Sequence, residues 1–291
     1  MSPFLNEIST VLVFGLAYAM LLFIISVGLS ITMGLMGFAN LAHGSFAMMG
    51  GYVTVTLVTQ SGVPFAAALL ISFVAIALLS IPFERFLYRH LYRRSELDQV
   101  LLTIGLVFAS IAGVTFIWGP DPQLIQMPNY LKGSVDLGFN TFPKYRIFMI
   151  IAGAMIVAGL FYGLERTKIG AQIRAAVDNR TMAESVGINT DRLFTWTFAL
   201  GSGMAALGGG LGIQILGGIK PVFAFEYLVI FLIVVAVGGM GNIRGTFFAA
   251  LILGIIDFAG KFYFPEGGAF VIFAVTILVL LIRPQGLLGK N

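Results

Sequence analysis

The stretch GLMGFANLAHGSFAMMGGY, residues 34–52, interrupts a long hydrophobic sequence with glycines, an asparagine and one of the two histidines of the chain. No Lys, Arg, Asp or Glu occurs between Glu7 and Glu84, so sequence typical of membrane helices flanks the interruption on both sides. Irregular backbone persists at membrane depth only where protein or a water-filled cavity covers it, because each unpaired backbone group in hydrocarbon costs several kcal/mol. We therefore predict a broken helix here, near the N-terminal third.

The composition indicates an integral membrane protein. Of the 291 residues, 58% are hydrophobic and 10% are charged, against about 25% charged residues in an ordinary soluble domain. A spanning helix needs about 20 apolar residues. Apolar runs occur at 8–33, 44–60, 63–83, 100–118, 146–164, 193–217, 225–240, 246–262 and 267–282. We predict an all-α polytopic membrane protein with eight or nine transmembrane helices in a single domain, residues 1–291.

The basic residues predict the orientation of these spans. Alternating the spans places 12 of the 17 basic residues on one face: Arg85, Arg89, Arg93, Arg94, Arg166, Lys168, Arg174, Arg180, Arg192, Arg244, Arg283 and Lys290. The positive-inside rule makes that face cytoplasmic, with the N-terminus periplasmic and the C-terminus cytoplasmic. Because the basic residues lie in short loops, the net charge of +4 is an orientation signal and predicts no nucleic-acid partner.

No enzyme signature occurs in the sequence. It has no Walker A, HExxH or nucleophile-elbow pattern and no cysteine, and His43 and His90 are too far apart on the predicted topology to form a metal pair. We predict no catalytic residue, metal or cofactor in this chain. Asp257, Glu226 and Glu84 are expected near helix ends, in reach of water or of neighbouring helices. Such scarce intramembrane charge argues against ion-coupled transport.

The polar residues of the stretch 34–52 have two interpretations. Asn40, His43 and Ser45 offer hydrogen bonds, and Gly44 is one of the glycines that permit a break or a close approach of helices. The side chains either cap two half-helices or line a permeation path, as in transporters with broken helices.

A second glycine-rich run, residues 201–212, predicts a helix-packing face. Small residues recur there at four-residue spacing in two rows, one of Gly201, Ala205 and Gly209 and the other of Gly208 and Gly212. Small residues let helix backbones approach closely in lipid. A role of this run in gating is the alternative.

The predicted cytoplasmic segment 165–192 is patterned as two short helices. Apolar residues recur at helical spacing: Ile169, Ile173, Ala176 and Val177. Asp178 or Asn179 can cap a second helix over 181–186, and Gly187 can end it. The segment is either a docking surface or a solvated helical loop.

The loop on the opposite face, residues 119–145, is rich in proline and ends in the alternating sequence VDLGFNTF, which predicts a short hairpin. It either contacts an external partner or serves as a solvated connector.

Four ordered motifs resemble those of the LivH-type permeases of bacterial branched-chain amino-acid ABC importers. They are residues 34–52, RAAVDNRTMAESVGINTDRL at 174–193, VGGMGNIRGTFFAALILG at 237–254 and RPQGLLG at 283–289. The resemblance covers nearly the whole chain. It implies an inner-membrane permease subunit without an ATPase site of its own, which moves branched-chain amino acids or related small polar solutes by alternating access.

The resemblance also implies partners and site residues. The partners are a second, LivM-type permease, two cytoplasmic ATPase subunits that use ATP, and a periplasmic substrate-binding protein. The candidate pathway residues are Asn40, His43 and Gly44, with Ser45 beside them. The candidate ATPase-coupling residues are Arg174, Asp178, Asn179, Ala183, Glu184 and Gly187. The substrate and the choice between a homomeric and a heteromeric permease pair stay open. A self-sufficient secondary transporter or channel is the alternative function, and a membrane scaffold is a third.

Overall fold

The computed structural model describes residues 3–37, 39–92, 94–138 and 140–289. It is built almost entirely of helices: α1 Pro3–Met36, α2 His43–Thr59, α3 Phe65–Phe83, α4 Arg89–Leu91, α5 Glu96–Trp118, α6 Lys144–Arg166, α7 Lys168–Asp178, α8 Arg180–Ser185, α9 Thr190–Ile215, α10 Phe223–Glu226, α11 Leu228–Gly238, α12 Ile243–Tyr263 and α13 Gly268–Ile282. A π-helical turn, Glu84–Tyr88, joins α3 to α4. The predicted all-α polytopic class is confirmed at this level.

Six helices of the described residues are long and apolar enough to cross a membrane: Phe4–Met36, Phe65–Leu91, Glu96–Trp118, Lys144–Arg166, Thr190–Ile215 and Ile243–Tyr263. Two shorter apolar helices occupy Phe223–Gly238 and Gly268–Ile282. The 17 residues of α2 rise only about 25 Å, less than the roughly 30 Å of a hydrocarbon core. The span number of eight or nine therefore stays a prediction.

Helix α1 is the centre of the bundle and packs against α12, α9 and α6. Small residues bring its backbone close to its neighbours. A Cβ added to Gly254 of α12 would lie 2.6 Å from the Cα of Ala19, and one added to Gly201 of α9 would lie 2.9 Å from the carbonyl oxygen of Gly28. Such contacts suit helix association in lipid, where packing replaces the hydrophobic effect.

The glycine-rich run lies on α9, between α1 and α2. Gly201, Gly208 and Gly212 approach α1, Gly209 lies directly against the backbone of Ala47 in α2, and Ala205 is fully buried. The run therefore packs against two neighbours, and the row that contains Gly201 and Gly209 contacts both of them.

The helix of α3 continues beyond the apolar run 63–83, although Arg85 and Arg89 were expected to lie in a short loop. Pro82 lacks the N–H that a regular helix would use, and the backbone widens into the π turn that comes after it. Charged side chains do not end a helix, so the chain stays helical as far as Leu91. The expectation of a loop was wrong because the end of an apolar run marks a change of solvent rather than the end of a helix.

The predicted hairpin in the loop 119–145 forms. Strands β1, Ser134–Asp136, and β2, Thr141–Pro143, pair antiparallel with Val135 opposite Phe142. The amide of Asn140 donates hydrogen bonds to the first turns of α1: to the carbonyl oxygen of Asn6 and to the hydroxyl oxygens of Ser9 and Thr10. The hairpin is therefore fastened to the start of the central helix.

Segment 165–192 forms the two predicted helices, α7 and α8. The Oδ1 of Asn179 accepts a 3.0 Å hydrogen bond from the N–H of Met182 and so caps α8. Gly187 ends α8 with φ +86°, as predicted, and the N–H of Ile188 donates to the carbonyl of Ala183 across this turn. Of the expected apolar row, Ile173 is buried but Ile169 is exposed.

Candidate functional site

The predicted break separates α1 from α2 by residues 37–42. Gly37 turns the chain with φ +73°. The N–H of His43 donates to the carbonyl of Asn40 at 3.2 Å, and the N–H of Ala42 donates to the Oδ1 of Asn40 at 3.1 Å. Asn40 thus pairs two backbone groups that the break would leave free.

The break also carries the chain back into the bundle before α2 begins. The Nε2 of His43, in the first turn of α2, lies 2.9 Å from the carbonyl oxygen of Ile25. Ile25 precedes the end of α1 by 11 residues, about 16 Å of helical rise. Helix α2 therefore begins deep beside α1 rather than at the level of its end.

Each of the four candidate pathway residues contacts a different element. Their contacts are Asn40 Oδ1 with the hydroxyl of Tyr88 at 3.0 Å, His43 with α1, Gly44 with the backbone of Ala224 in α10, and Ser45 Oγ with the hydroxyl of Ser110 in α5 at 2.7 Å. All four residues are buried. Within this chain they hold helices together around the break. The Nδ2 of Asn40 is buried without a hydrogen-bond partner.

A series of polar contacts leads from α8 to this break. Arg180 of α8 donates to Glu184 at 2.9 Å and to Asp191 at 3.2 Å, and Asp191 also pairs with Arg89 of α4. Arg89 directly follows Tyr88, whose hydroxyl donates to Asn40. Exposed ion pairs contribute little stability, about 0–1 kcal/mol each. Their interest here is that they join α8, α9 and α4 in one connected set.

Glu84 lies near a helix end, as expected, and is 1% exposed, so of the two expected environments it has neighbouring helices rather than water. Its Oε2 accepts a 2.7 Å hydrogen bond from Thr195 of α9, and its Oε1 accepts one of 2.8 Å from Tyr92. Burial, reinforced by the carboxylate of Glu84, raises the pKa of Tyr92, so the phenol stays protonated and keeps donating. Sequence reasoning did not identify Tyr88, Tyr92 or Thr195. The signal that could have found them was a carboxylate that directly follows an apolar helix and needs donors.

The candidate coupling residues are distributed over α7, α8 and the turn after them. Asn179 and Gly187 define the ends of α8, and Ala183 is buried. Glu184 accepts from Arg180 and, at 2.5 Å, from the hydroxyl of Thr190. The two remaining candidates face a cavity of about 760 Å³ between α7, the turns at 34–37 and 240–244 and the C-terminal segment: Arg174 and Asp178.

Two lysine–carboxylate pairs lie at the opposite end of the bundle. Lys261 Nζ is 2.6 Å from Asp257 Oδ2, and Asp257 is only 2% exposed, so of the two expected environments it has neighbouring helices rather than water. Lys220 Nζ is 2.7 Å from Glu226 Oε1, and both of these side chains are about 40% exposed. Among the described residues no group of three or more His, Cys, Asp or Glu is placed to hold a metal ion.

Comparison with known proteins adds a family and several relatives. The family described as branched-chain amino acid transport system / permease component matches residues 11–280. The high-affinity branched-chain amino acid transport system permease protein LivH of Escherichia coli (strain K12) is 29% identical, with 99% of this chain and 96% of that protein covered. The corresponding protein BraD of Pseudomonas aeruginosa is 28% identical over the same shares. The probable permease LivH of Methanocaldococcus jannaschii is 26% identical, covering 95% and 91%. No solved structure matches.

Proposed function

The chain belongs to the permease family of branched-chain amino acid transport systems, and from this premise we propose how it works as the permease subunit of an ABC-type importer. It is a multi-pass membrane protein and a transport component rather than an enzyme. Its cargo is a branched-chain amino acid or a closely related zwitterion, and the ATPase site that powers transport lies in separate subunits. The family match over residues 11–280 is the observation that carries this proposal.

The proposed topology has nine crossings, with the N-terminus periplasmic and the C-terminus cytoplasmic. Besides the six long helices, α2, α10–α11 and α13 complete the count. Each of these is shorter than a full bilayer crossing, and irregular backbone leads into the first two. Transporter folds commonly use such interrupted helices near the middle of the membrane. The basic residues in the turns support the orientation.

The proposed partners are a second permease subunit, two ATPase subunits and a periplasmic substrate-binding protein. Helices α7 and α8 form the docking surface for an ATPase. Movement of α8 passes through Arg180 and Asp191 to Arg89, and from the neighbouring Tyr88 to Asn40 at the break. Because the break joins α1 to helices α2, α5 and α10, its displacement changes the packing of several helices at once.

Asn40, His43, Gly44 and Ser45 act in this proposal at the joint that changes between the inward-open and outward-open states. The unpaired Nδ2 of Asn40 supports this assignment, since a buried donor without a partner favours a state in which it finds one. In such a state the amide also becomes available to a carboxylate of the cargo.

Reconstitution tests the function. The full complex in proteoliposomes is expected to accumulate radiolabelled L-leucine inside only when ATP and the loaded binding protein are present. The purified chain alone is expected to show neither ATPase activity nor concentrative uptake. Uptake driven by an ion gradient through this chain alone would establish the secondary-transporter alternative instead.

A glycine substitution tests the coupling surface. Gly187→Val places a β-branched residue at φ +86°, where space is open but the conformation is unfavourable, and is expected to abolish the ATPase stimulation by loaded binding protein. Gly159→Val is the matched control, because Gly159 lies in α6 and an added Cβ there also has no neighbour within 4 Å. Normal coupled ATPase activity in Gly187→Val would contradict the assignment.

A further inference from the structure

The pair Lys220–Glu226 lies at a depth where an exposed charge needs an explanation. Gly238 ends α11 at a turn close to the ion pair of Arg244 with Glu165, which is exposed to water. Glu226 precedes Gly238 by 12 residues, so it lies about 18 Å above that turn. The hydrocarbon core is about 30 Å thick. The carboxylate is therefore within the outer half of the membrane.

Helix α1 gives a second measure of depth from the same turn. A Cβ on Gly34 would lie 2.5 Å from the Cα of Gly241, so the end of α1 is level with the same turn. Tyr18 precedes Gly34 by 16 residues, about 24 Å, and lies within electrostatic reach of both Asp257 and Tyr227. Tyr227 directly follows Glu226. Both rises are smaller than the roughly 30 Å of the hydrocarbon core, so both residues lie below its outer edge.

The face of α10–α11 that carries Glu226 is otherwise apolar. Val222 and Val229, four residues before and three residues after Glu226, share its face at helical spacing and are 47% and 48% exposed. Lipid does not tolerate a half-exposed carboxylate and ammonium at this depth. Charged side chains within spans face the bundle interior or a water-filled cavity and mark substrate pathways.

The second lysine–carboxylate pair has a different setting. Both residues lie on α12, and Lys261 is 49% exposed, but the carboxylate of Asp257 is only 3% exposed and is covered by the neighbouring helices. Both members of the Lys220–Glu226 pair keep about 40% of their side chains accessible. Of the two carboxylates, only that of Glu226 is therefore open to a second cation without repacking of the helices.

We propose that Lys220, Glu226 and the flanking valines form a substrate-binding site on the wall of the translocation path, for the head group and branched side chain of an aliphatic α-amino acid. The cargo's ammonium replaces Lys220 at Glu226, and its carboxylate pairs with the released Lys220. The site stays neutral throughout, so no net charge is buried. Val222 and Val229 contact the aliphatic side chain. This inference rests on the proposed function, and it adds the position and chemistry of the site.

Uptake by the complete complex tests the two charges. Glu226→Gln and Lys220→Gln are each expected to lower ATP-driven uptake of L-leucine about tenfold or more, because each removes a charge-assisted hydrogen bond to the cargo. Stimulation of the ATPases by loaded binding protein is expected to persist. Glu266→Gln is the control, since it removes an exposed carboxylate from the loop after α12, and its uptake is expected to equal that of wild type.

The double variant Lys220→Gln with Glu226→Gln separates binding from stability. It leaves no unpaired charge, so a pair that only stabilises the fold predicts recovered uptake, whereas a cargo site predicts that uptake stays low. Recovery would overturn the site. So would loss of co-purification of the second permease in Glu226→Gln, which would assign the pair to contact between subunits. Failure of the wild-type complex to take up L-leucine would instead reject the proposed function.

Cysteine accessibility gives a second, independent readout, because the chain has no cysteine. A single Val229→Cys in a complex otherwise free of accessible thiols is expected to react with a water-soluble, charged methanethiosulfonate reagent, and L-leucine with its binding protein and ATP is expected to slow that reaction. The control Ile151→Cys, 54% exposed in α6, is expected to stay unlabelled because it faces lipid. An unreactive Val229→Cys would overturn the proposal.

Discussion

Two glycine–asparagine turns lie at the same end of the bundle, and they differ in how deeply their asparagines are buried. The turn 37–42 joins α1 to α2, and the turn 239–242 joins α11 to α12. Gly37 and Gly241 have nearly the same backbone angle, φ +73° and +74°. The segments GLMG, followed by Asn40, and GGMGN, which ends in Asn242, therefore share a left-handed glycine as well as residue types.

The two asparagines nevertheless have different roles. Asn242 is a conventional N-cap, whose Oδ1 accepts a 3.0 Å hydrogen bond from the N–H of Gly245 while its amide donates to the carbonyl of Leu288. Asn40 is fully buried, accepts from Ala42 and Tyr88, and has an unpaired amide nitrogen. At Asn242 the motif forms a surface turn whose asparagine side chain has hydrogen-bond partners at both polar atoms. At Asn40 it forms a buried joint whose amide nitrogen has none. Burial, rather than the motif, makes the difference.

The largest expected effect comes from forcing the two turns apart. Gly34→Val adds a side chain whose Cβ would lie 2.5 Å from the Cα of Gly241, and it is expected to destabilise the folded protein by roughly 3 kcal/mol. Thermal unfolding of the purified chain in detergent measures this. Gly37→Ala is the control: its φ is positive but no atom lies within 4 Å, so only about 1 kcal/mol of strain is expected. Equal losses would show that the turns do not depend on their contact.

The next effect concerns transport and contrasts the two asparagines. Asn40→Leu is expected to lower ATP-driven uptake about tenfold with the complex still assembled, because the joint loses its contacts to Tyr88 and to the backbone. Asn242→Leu is expected to keep normal uptake per folded complex. Normal uptake in Asn40→Leu would show that Asn40 only caps the broken helix and has no role in transport.

A smaller effect is expected at the conventional cap. Asn242→Ala removes the hydrogen bond to Gly245 and should cost about 1 kcal/mol of folding stability. The unfolding temperature of the purified chain is the measurement. A change in the ratio of uptake to ATP hydrolysis would contradict the purely structural role of this turn.

The smallest effect is expected for Tyr88→Phe. Without the hydroxyl, the Oδ1 of Asn40 still accepts from the N–H of Ala42, so no acceptor is orphaned and the loss should be about 0.5 kcal/mol. A loss as large as that of Gly34→Val would show that the connection to Tyr88 is the main stabiliser of the break. Unfolding of both variants under the same conditions decides this.

Features that depend on neighbouring residues could be predicted from the sequence. The cap at Asn179, the left-handed turn at Gly187 and the hairpin of β1 and β2 each result from short-range backbone geometry, and all three form. Helix position along the chain was predictable where an apolar run was long. The continuation of the helix from Glu84 to Leu91 was not predicted, because Pro82 and the charges after it resemble a helix end in sequence. The backbone passes through them in a π turn.

Features that depend on depth were not predictable. Glu84, Asp257 and Glu226 all appeared to be near helix ends, yet two of them are enclosed and the third lies on an open face. Whether a carboxylate is enclosed or exposed depends on the helices packed around it, and its position in the sequence does not identify those helices. The same reason left open whether the candidate coupling residues touch the break at all.

Residues 34–52 show which features the sequence determines and which it does not. The glycines and polar residues of this stretch, set in sequence without charge, by themselves determined that the chain is a membrane bundle with a break between α1 and α2. Only the tertiary structure decided that α2 begins beside Ile25, that Asn40 meets Tyr88, and that Gly34 meets Gly241. The physical reason is that hydrophobicity and turn geometry act over a few residues, whereas these contacts join residues that are 18, 48 and about 200 positions apart and form only when the helices pack.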